Sequence, residues 1–354
     1  MPSSSGSDPS APPLSVVARR DVSPPAPTGA TIGLVRVSPD GKRIAYHCDD
    51  GAESAVYACA VDDLDGGAER ATKLVALGND GIDELSWSPD GTHLAYVTGG
   101  PLPTGLERSV GWTSSTEPGE LGRTPGAAHG WTPGKPALVV TDLTERAVVH
   151  VSLASGEKLS VGEILDDGDV DLPPVVAVGS DGQHIAVSCR RAHDQVTEIW
   201  IFRRDAGGIA SRLLTQIPGA AVRAHPFWSP KGKTLALSVV HLTQEQSATI
   251  AVRQLKGDGE ILHHHELLDA PFRPSWAPGG RWIALFVAQA RAPLPGAFGP
   301  QQLAVIDVHQ REVFPLLEPG EAAGAPHFVG DRQLAVDGGP TALLLELAET
   351  PQGK

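Results

Sequence analysis

One short pattern recurs along the whole chain and limits what it can fold into. Val35 to Tyr46 reads VRVSPDGKRIAY and Leu85 to Tyr96 reads LSWSPDGTHLAY, each with apolar residues alternating on both sides of a tight turn. Weaker copies read VAVGSDGQHIAV from Val176, PFWSPKGKTLAL from Pro226, PSWAPGGRWIAL from Pro274 and, one residue shorter, PHFVGDRQLAV from Pro326. Proline presets φ at the first central turn position, an acid or similar residue tolerates the next, and glycine accepts a positive φ. The turn residues Gly41, Gly91, Gly182, Gly232, Gly280 and, in the last copy, Asp331 are spaced by 50, 91, 50, 48 and 51 residues. Units repeated at such a period bury their faces against each other.

The slot before each turn holds a bulky group, Val37, Trp87, Val178, Trp228, Trp276 or Phe328, suited to the wedge between adjacent sheets. Third and fourth strands are expected at 54–63 and 71–77, at 137–143 and 147–153, and at 197–204 and 211–216. The third commonly ends in an apolar-Asp-apolar turn, as at Asp63-Leu64, Asp142-Leu143 and Asp307-Val308. Four strands per copy predict an all-β, six-bladed β-propeller with four-stranded antiparallel blades. The long interval between Gly91 and Gly182 is read as one blade with an insertion at 99–136, a stretch rich in Gly, Pro, Ser and Thr without alternation. The last copy reaches only a third strand, at 342–348, and the segment LSVVARRD at 14–21 is expected to complete it, removing an open edge. The remaining residues 1–13 read as a disordered tail, leaving 14–354 as a single propeller.

The hairpin (Trp/Phe)-Ser-Pro-Asp-Gly-x-x-(Ile/Leu)-Ala-(Tyr/Val) resembles the TolB-type propeller repeat, which is WD-like and similar to the propeller domains of prolyl-oligopeptidase-like peptidases. The resemblance spans about 29–354 and implies the fold. It implies no single function, because such propellers serve both as interaction scaffolds and as enzyme-gating domains. It is confined to the propeller. The secretory signal and amino-terminal α/β domain of TolB-like proteins are not found, nor are a hydrolase domain and its Gly-x-Ser-x-Gly elbow.

Charge and composition exclude several functions. Forty-two acids against 28 bases give a formal net charge of −14, and basic residues never cluster beyond pairs, so a nucleic-acid backbone is repelled. No apolar run approaches the length of a membrane helix and no signal peptide is seen, so a soluble, cytoplasmic protein is expected, without membrane association. Cys48, Cys59 and Cys189 read as buried structural thiols. Strand pairing sets Cys59 opposite residues near 44–45 rather than Cys48, so no disulfide is expected.

No cofactor or metal is expected. Around Gly232-Lys233-Thr234 the first glycine of a phosphate loop falls at Phe227. The acidic run Asp166 to Asp171 lacks the glycine and glutamate of a calcium loop, and His263 and His265 share a strand face without a third ligand.

Candidate site residues come from the rim where first strands begin and second strands end. Three places before the wedge stand Leu34, Glu84, Val175, His225, Arg273 and Ala325. Neighbouring rim positions include Asp49, Asp83, Arg190, Arg191, Arg223, His241 and His327, acids towards the first copies and bases towards the later ones. Such a split field orients a small polar ligand or a partner's loop. Trp112 and Trp131 sit in the expected insertion, and RAPLPGAFGP at 291–300 interrupts the matching place of the fifth copy, so both stretches are expected to cover the channel mouth or meet a partner. The leading expectation is a protein- or ligand-binding scaffold. The alternative is a stand-alone propeller hydrolase, lyase or cyclase, with Glu84 and His225 as acid–base candidates and Arg273 as anion holder.

Overall fold

The computed structural model describes residues 13–349 apart from 79, 100–107, 143, 164–173, 192–193, 206–207, 219–221, 233, 242–246, 255–260, 269–273, 289–300 and 323. Those residues form four-stranded antiparallel sheets whose strands follow in chain order from the channel outwards. Sheet 1 is Thr31–Val37, Arg43–Asp49, Ser54–Ala60 and Thr72–Gly78, and sheet 2 is Ile82–Trp87, His93–Thr98, Ser109–Ser114 and Glu120–Pro125. Sheet 3 is His129–Trp131, Ala137–Asp142, Ala147–Ser152 and Lys158–Glu163; sheet 4 is Val175–Val178, His184–Arg191, Val196–Asp205 and Gly208–Pro218. Sheet 5 is Val222–Trp228, Thr234–His241, Ser247–Gln254 and Ile261–Leu268; sheet 6 is Ser275–Trp276, Trp282–Ala288, Gln301–Asp307 and Glu312–Pro315. Sheet 7 joins Ala325–Phe328, Gln333–Gly338 and Thr341–Glu349 to the amino-terminal strand Leu14–Val22, with Leu14 opposite Glu349 and Val22 opposite Ala342.

The chain is therefore a β-propeller of antiparallel four-stranded blades closed by its amino-terminal strand, and each of the six hairpin copies builds a blade. Between the second and third copies stands a further four-stranded sheet, sheet 3, which brings the sheets among the described residues to seven. Seven apolar clusters confirm the ring, each joining two neighbouring sheets. Val110 and Trp112 of sheet 2 pack with Leu138 and Val140 of sheet 3, Val139 and Val148 of sheet 3 with Val187 and Phe202 of sheet 4, and Ile44 of sheet 1 with Val329 and Ala335 beside sheet 7.

The insertion expected at 99–136 is corrected accordingly: within it run Ser109–Ser114, Glu120–Pro125 and His129–Trp131. Three glycines on its strands, Gly111, Gly122 and Gly130, are packing glycines rather than turn-formers. A Cβ on Gly111 would enter the Tyr96 ring, one on Gly122 the Trp112 ring, and one on Gly130 would come within 2.9 Å of Val178. The seventh hairpin, Trp131-Thr132-Pro133-Gly134-Lys135, has the length of the SPDG hairpins, with Trp131 opposite Leu138 as Trp87 is opposite Leu94, but it has no acid and its glycine comes one place earlier, Gly134 at φ +68°.

The repeated turn is held by its own side chains. Gly41 N–H donates to Ser38 O at 2.9 Å, Ser38 Oγ donates to Asp40 Oδ1 at 2.6 Å, and Arg43 N–H donates to Ser38 Oγ at 2.9 Å. Ser88 and Asp90 repeat the pattern. The wedge tryptophans latch each sheet to the one before it: Trp87 Nε1 donates to Arg36 O at 3.0 Å, Trp228 to Ala177 O at 3.0 Å and Trp276 to Phe227 O at 3.3 Å. Cys48, Cys59 and Cys189 are buried and form no disulfide; Cys59 faces Ile44, and burial pushes its thiol up to about 11. Among the described residues no helix is long and apolar enough to cross a membrane.

Candidate functional site in the central channel

The inner strands of a propeller converge on its axis, and here they leave a cavity of about 560 Å³, within the range of small-molecule sites. Sheets 1, 2, 5, 6 and 7 all contribute to its wall. Four residues picked out from the sequence, Asp83, Glu84, His225 and His327, line it together.

A local irregularity explains the two adjacent carboxylates. Ile82 pairs with Thr98 but Glu84 pairs with Val97, so Asp83 is the extra residue of a β-bulge. Strict alternation would send consecutive side chains to opposite faces, and the bulge releases that constraint. Asp83 Oδ2 lies 3.1 Å from Arg108 Nη2. A comparable bulge in sheet 1 around Leu34, at φ +49°, precedes Arg36, whose Nε donates to Leu85 O at 3.1 Å and whose Nη1 donates to Val35 O at 3.0 Å. The Arg36 guanidinium is thus tied to the wall by backbone carbonyls.

Sequence reasoning missed Asp337. It occupies the second-strand slot that holds His47, Val97, Ser188, Ser238 and Phe286 in the other hairpin copies, and an acid in that mostly apolar alternation was its signal. Its side chain is 1% exposed, its Oδ2 lies 3.1 Å from His327 Nδ1, and neither carboxylate oxygen makes a hydrogen bond. His327, 30% exposed, stands between this carboxylate and the channel. Ser86 was missed as well: it lines the cavity and receives Trp131 Nε1 at 2.9 Å, with His129 Nε2 2.6 Å from its Oγ.

Other expected site residues lie elsewhere. Asp49 is exposed and accepts a hydrogen bond from Gly51 N–H at 2.8 Å, capping its own turn. Arg190 is 5% exposed within its strand, and Arg191 is held by Asp194 at 3.2 Å and Glu198 at 3.5 Å. None of the three lines the cavity. Arg223 and His241 lie on the paired strands Val222–Trp228 and Thr234–His241, their side chains outside the described residues. Arg273, the 291–300 stretch and the Asp166–Asp171 run are outside them too.

Trp112 and Trp131 belong to strands rather than to a lid. Trp112 is 2% exposed in the core between sheets 2 and 3, and Trp131 is the wedge residue of sheet 3. Strand alternation, hidden by glycine in this stretch, is what places them there. Among the described residues no three His, Cys, Asp or Glu side chains form a metal-holding group.

No family model matches the chain, and no curated protein does. Solved structures do, and all at low identity. A chain of the Mitotic Checkpoint Complex is 16% identical with a TM-score of 0.60, covering 95% of this chain and 95% of that one. Oligogalacturonate lyase in complex with manganese is 14% identical with a TM-score of 0.60, covering 95% and 98%. Prolyl oligopeptidase B from Galerina marginata is 13% identical with a TM-score of 0.57, covering 87% of this chain and 46% of that longer one. Likeness at this identity shows the fold: the chain is similar to β-propellers, including those of prolyl oligopeptidases and WD40 proteins.

Proposed function

We propose that this protein is a recognition propeller that binds a small polar ligand, or a polar element of a protein partner, in its axial cavity. The carrying observation is the cavity itself, where sheets 2, 5 and 7 bring Asp83, Glu84, His225 and His327 to one space of small-molecule size. Propeller neighbours in protein complexes support the scaffold reading. The hairpin motif supports a TolB-type kinship, and three buried thiols outside any disulfide support a reducing, cytoplasmic compartment.

One observation favours catalysis as the second reading. A buried carboxylate set behind a cavity-facing imidazole, as Asp337 is behind His327, has the arrangement of a base and its orienting group.

A thermal-shift screen of polar metabolites, followed by mass spectrometry of captured proteins, tests the proposal. A ligand at a hundred times its Kd stabilises the fold by about 2.7 kcal/mol, and the double variant Glu84→Gln, His327→Gln is expected to lose that shift when each protein is read against its own unliganded Tm. A full shift in the double variant removes the cavity as the site. Turnover of a bound compound that is lost in both Asp337→Asn and His327→Gln would establish the catalytic reading instead.

A further inference from the structure

Ser86 stands half-buried on the first strand of sheet 2, immediately before the wedge residue Trp87, and lines the cavity. The first strand of sheet 3, His129–Trp131, lies beside it, and residues two apart on a strand share a face. Both end residues of that strand reach the same atom: Trp131 Nε1 donates to Ser86 Oγ at 2.9 Å, and His129 Nε2 lies 2.6 Å from it. An indole N–H can only donate, so it occupies one acceptor site of the hydroxyl. With the imidazole proton on Nδ1, the hydroxyl donates to Nε2, at the distance from which a base takes a proton. The His129 ring is buried, while Ser86 opens on the cavity. Arg36 of the adjoining sheet 1 lines the same wall, with its Nε donating at 3.1 Å to Leu85 O, the carbonyl immediately before Ser86. A fixed guanidinium so close to a serine–imidazole pair suits the charge that develops on an oxyanion.

Taking the axial cavity as the recognition site, a reading on which this step rests, we infer that Ser86 is a nucleophile with His129 as its base, acting on a small carboxylic ester. Ser86 Oγ bonds to the carbonyl carbon as its proton passes to His129 Nε2, and Arg36 holds the oxyanion. The bond from that carbon to the alcohol oxygen then breaks, and the departing alcohol takes its proton from Nε2. A water molecule repeats the sequence on the acyl-serine, releasing the carboxylic acid and restoring the hydroxyl. An ester suits the pair because an alkoxide leaves more readily than an amide anion. The volume of about 560 Å³ limits the substrate to a small one.

Ser275 supplies the comparison, since it lines the same cavity with the Phe328 backbone N–H at 3.4 Å from its Oγ in place of an imidazole. The full chain treated with diisopropyl fluorophosphate and read by peptide mass spectrometry is expected to carry the adduct on Ser86 and not on Ser275. Hydrolysis of p-nitrophenyl acetate above the uncatalysed rate should fall about 100-fold or more in Ser86→Ala and in His129→Gln. Should His129→Gln fail to fold, Ser86→Cys reads the same pair: iodoacetamide should alkylate its new thiol about tenfold faster than the one in Ser275→Cys, because a neighbouring imidazole favours the thiolate. Equal alkylation of the two, or full labelling of Ser86 in His129→Gln, removes His129 as the base and overturns the inference. Alkylation of Ser275→Cys with Ser86 left unlabelled by the fluorophosphate overturns the nucleophile but leaves the cavity open to a ligand and the recognition reading intact. No reaction at any of these positions shows a cavity closed to small molecules and overturns both.

Discussion

At the scale of single residues, the most telling groups outside the cavity are two buried aspartates at strand ends, Asp307 on the third strand of sheet 6 and Asp142 on the second strand of sheet 3, expected from the sequence to be a third strand. Asp307 is fully buried, accepts Nη2 and Nε of Arg281 at 2.8 and 3.0 Å, and receives the backbone N–H of His309 at 2.8 Å and of Gln310 at 3.1 Å. Asp142 repeats the design, accepting from Thr144 and Glu145 N–H and from Lys158 Nζ at 2.9 Å. Burial by itself would raise the Asp307 carboxyl, but Arg281 and the two backbone donors outweigh it and hold the group below its ordinary value. A carboxylate depressed in this way contributes stability that is fully present above the ordinary carboxyl range and is lost as pH falls through the lower folded value. Asp307→Ala is expected to cost on the order of 3 kcal/mol at neutral pH, since it strands Arg281. Asp307→Asn should flatten the fall in Tm below about pH 4. Thermal melts across that range check both, and an unchanged acid limb in Asp307→Asn would show that the pair carries no pH-linked stability. These aspartates were visible as a recurring apolar-Asp-apolar turn; their cationic partners, 16 and 26 residues away, were not.

Among the strands and turns, alternation and turn chemistry announced six hairpins because each places a stiff proline and a permissive glycine between apolar pairs. The hairpin of sheet 3 escaped because its turn lacks the acid and has its glycine one place earlier, and because the strands around it carry glycine where a neighbour needs room. Gly162, on the outer strand of sheet 3, shows the same device: a Cβ there would overlap the Phe202 ring of sheet 4. Glycine within a strand therefore marks close approach here and not a break. Gly162→Ala is expected to destabilise by about 1–3 kcal/mol through overpacking. Gly81→Ala, where an added Cβ meets nothing within 4 Å, should change stability by less than about 0.5 kcal/mol. Chemical denaturation of the two variants makes the comparison, and equal stability would mean that Phe202 yields without cost.

Across the whole molecule, stability depends on closure of the ring by the amino-terminal strand, the outermost strand of sheet 7. The amino-terminal strand pairs along Thr341–Glu349, and Val22 with Ala342 joins the cluster that unites sheets 7 and 1. Removing residues 1–22 should expose Thr341–Glu349 and open the ring at the non-sequential pairing that closes it. The shortened protein is expected to lose a cooperative melt and to self-associate on gel filtration, and a monomer with wild-type Tm would show that closure lies elsewhere. The repeated turns, the wedge residues and the closing strand were legible in the sequence because they depend on local φ preferences and on alternation, which short windows carry. Whether Glu84, His225 and His327 would meet depended on which sheets stand next to each other and on a one-residue bulge at Asp83. Asp337 depended on more still, since an acid in an apolar strand becomes a source of field only when folding closes it from water beside a channel. Local chemistry determined the blades, while their number around the axis and the charge of the space they enclose were decided by packing between residues far apart in the chain.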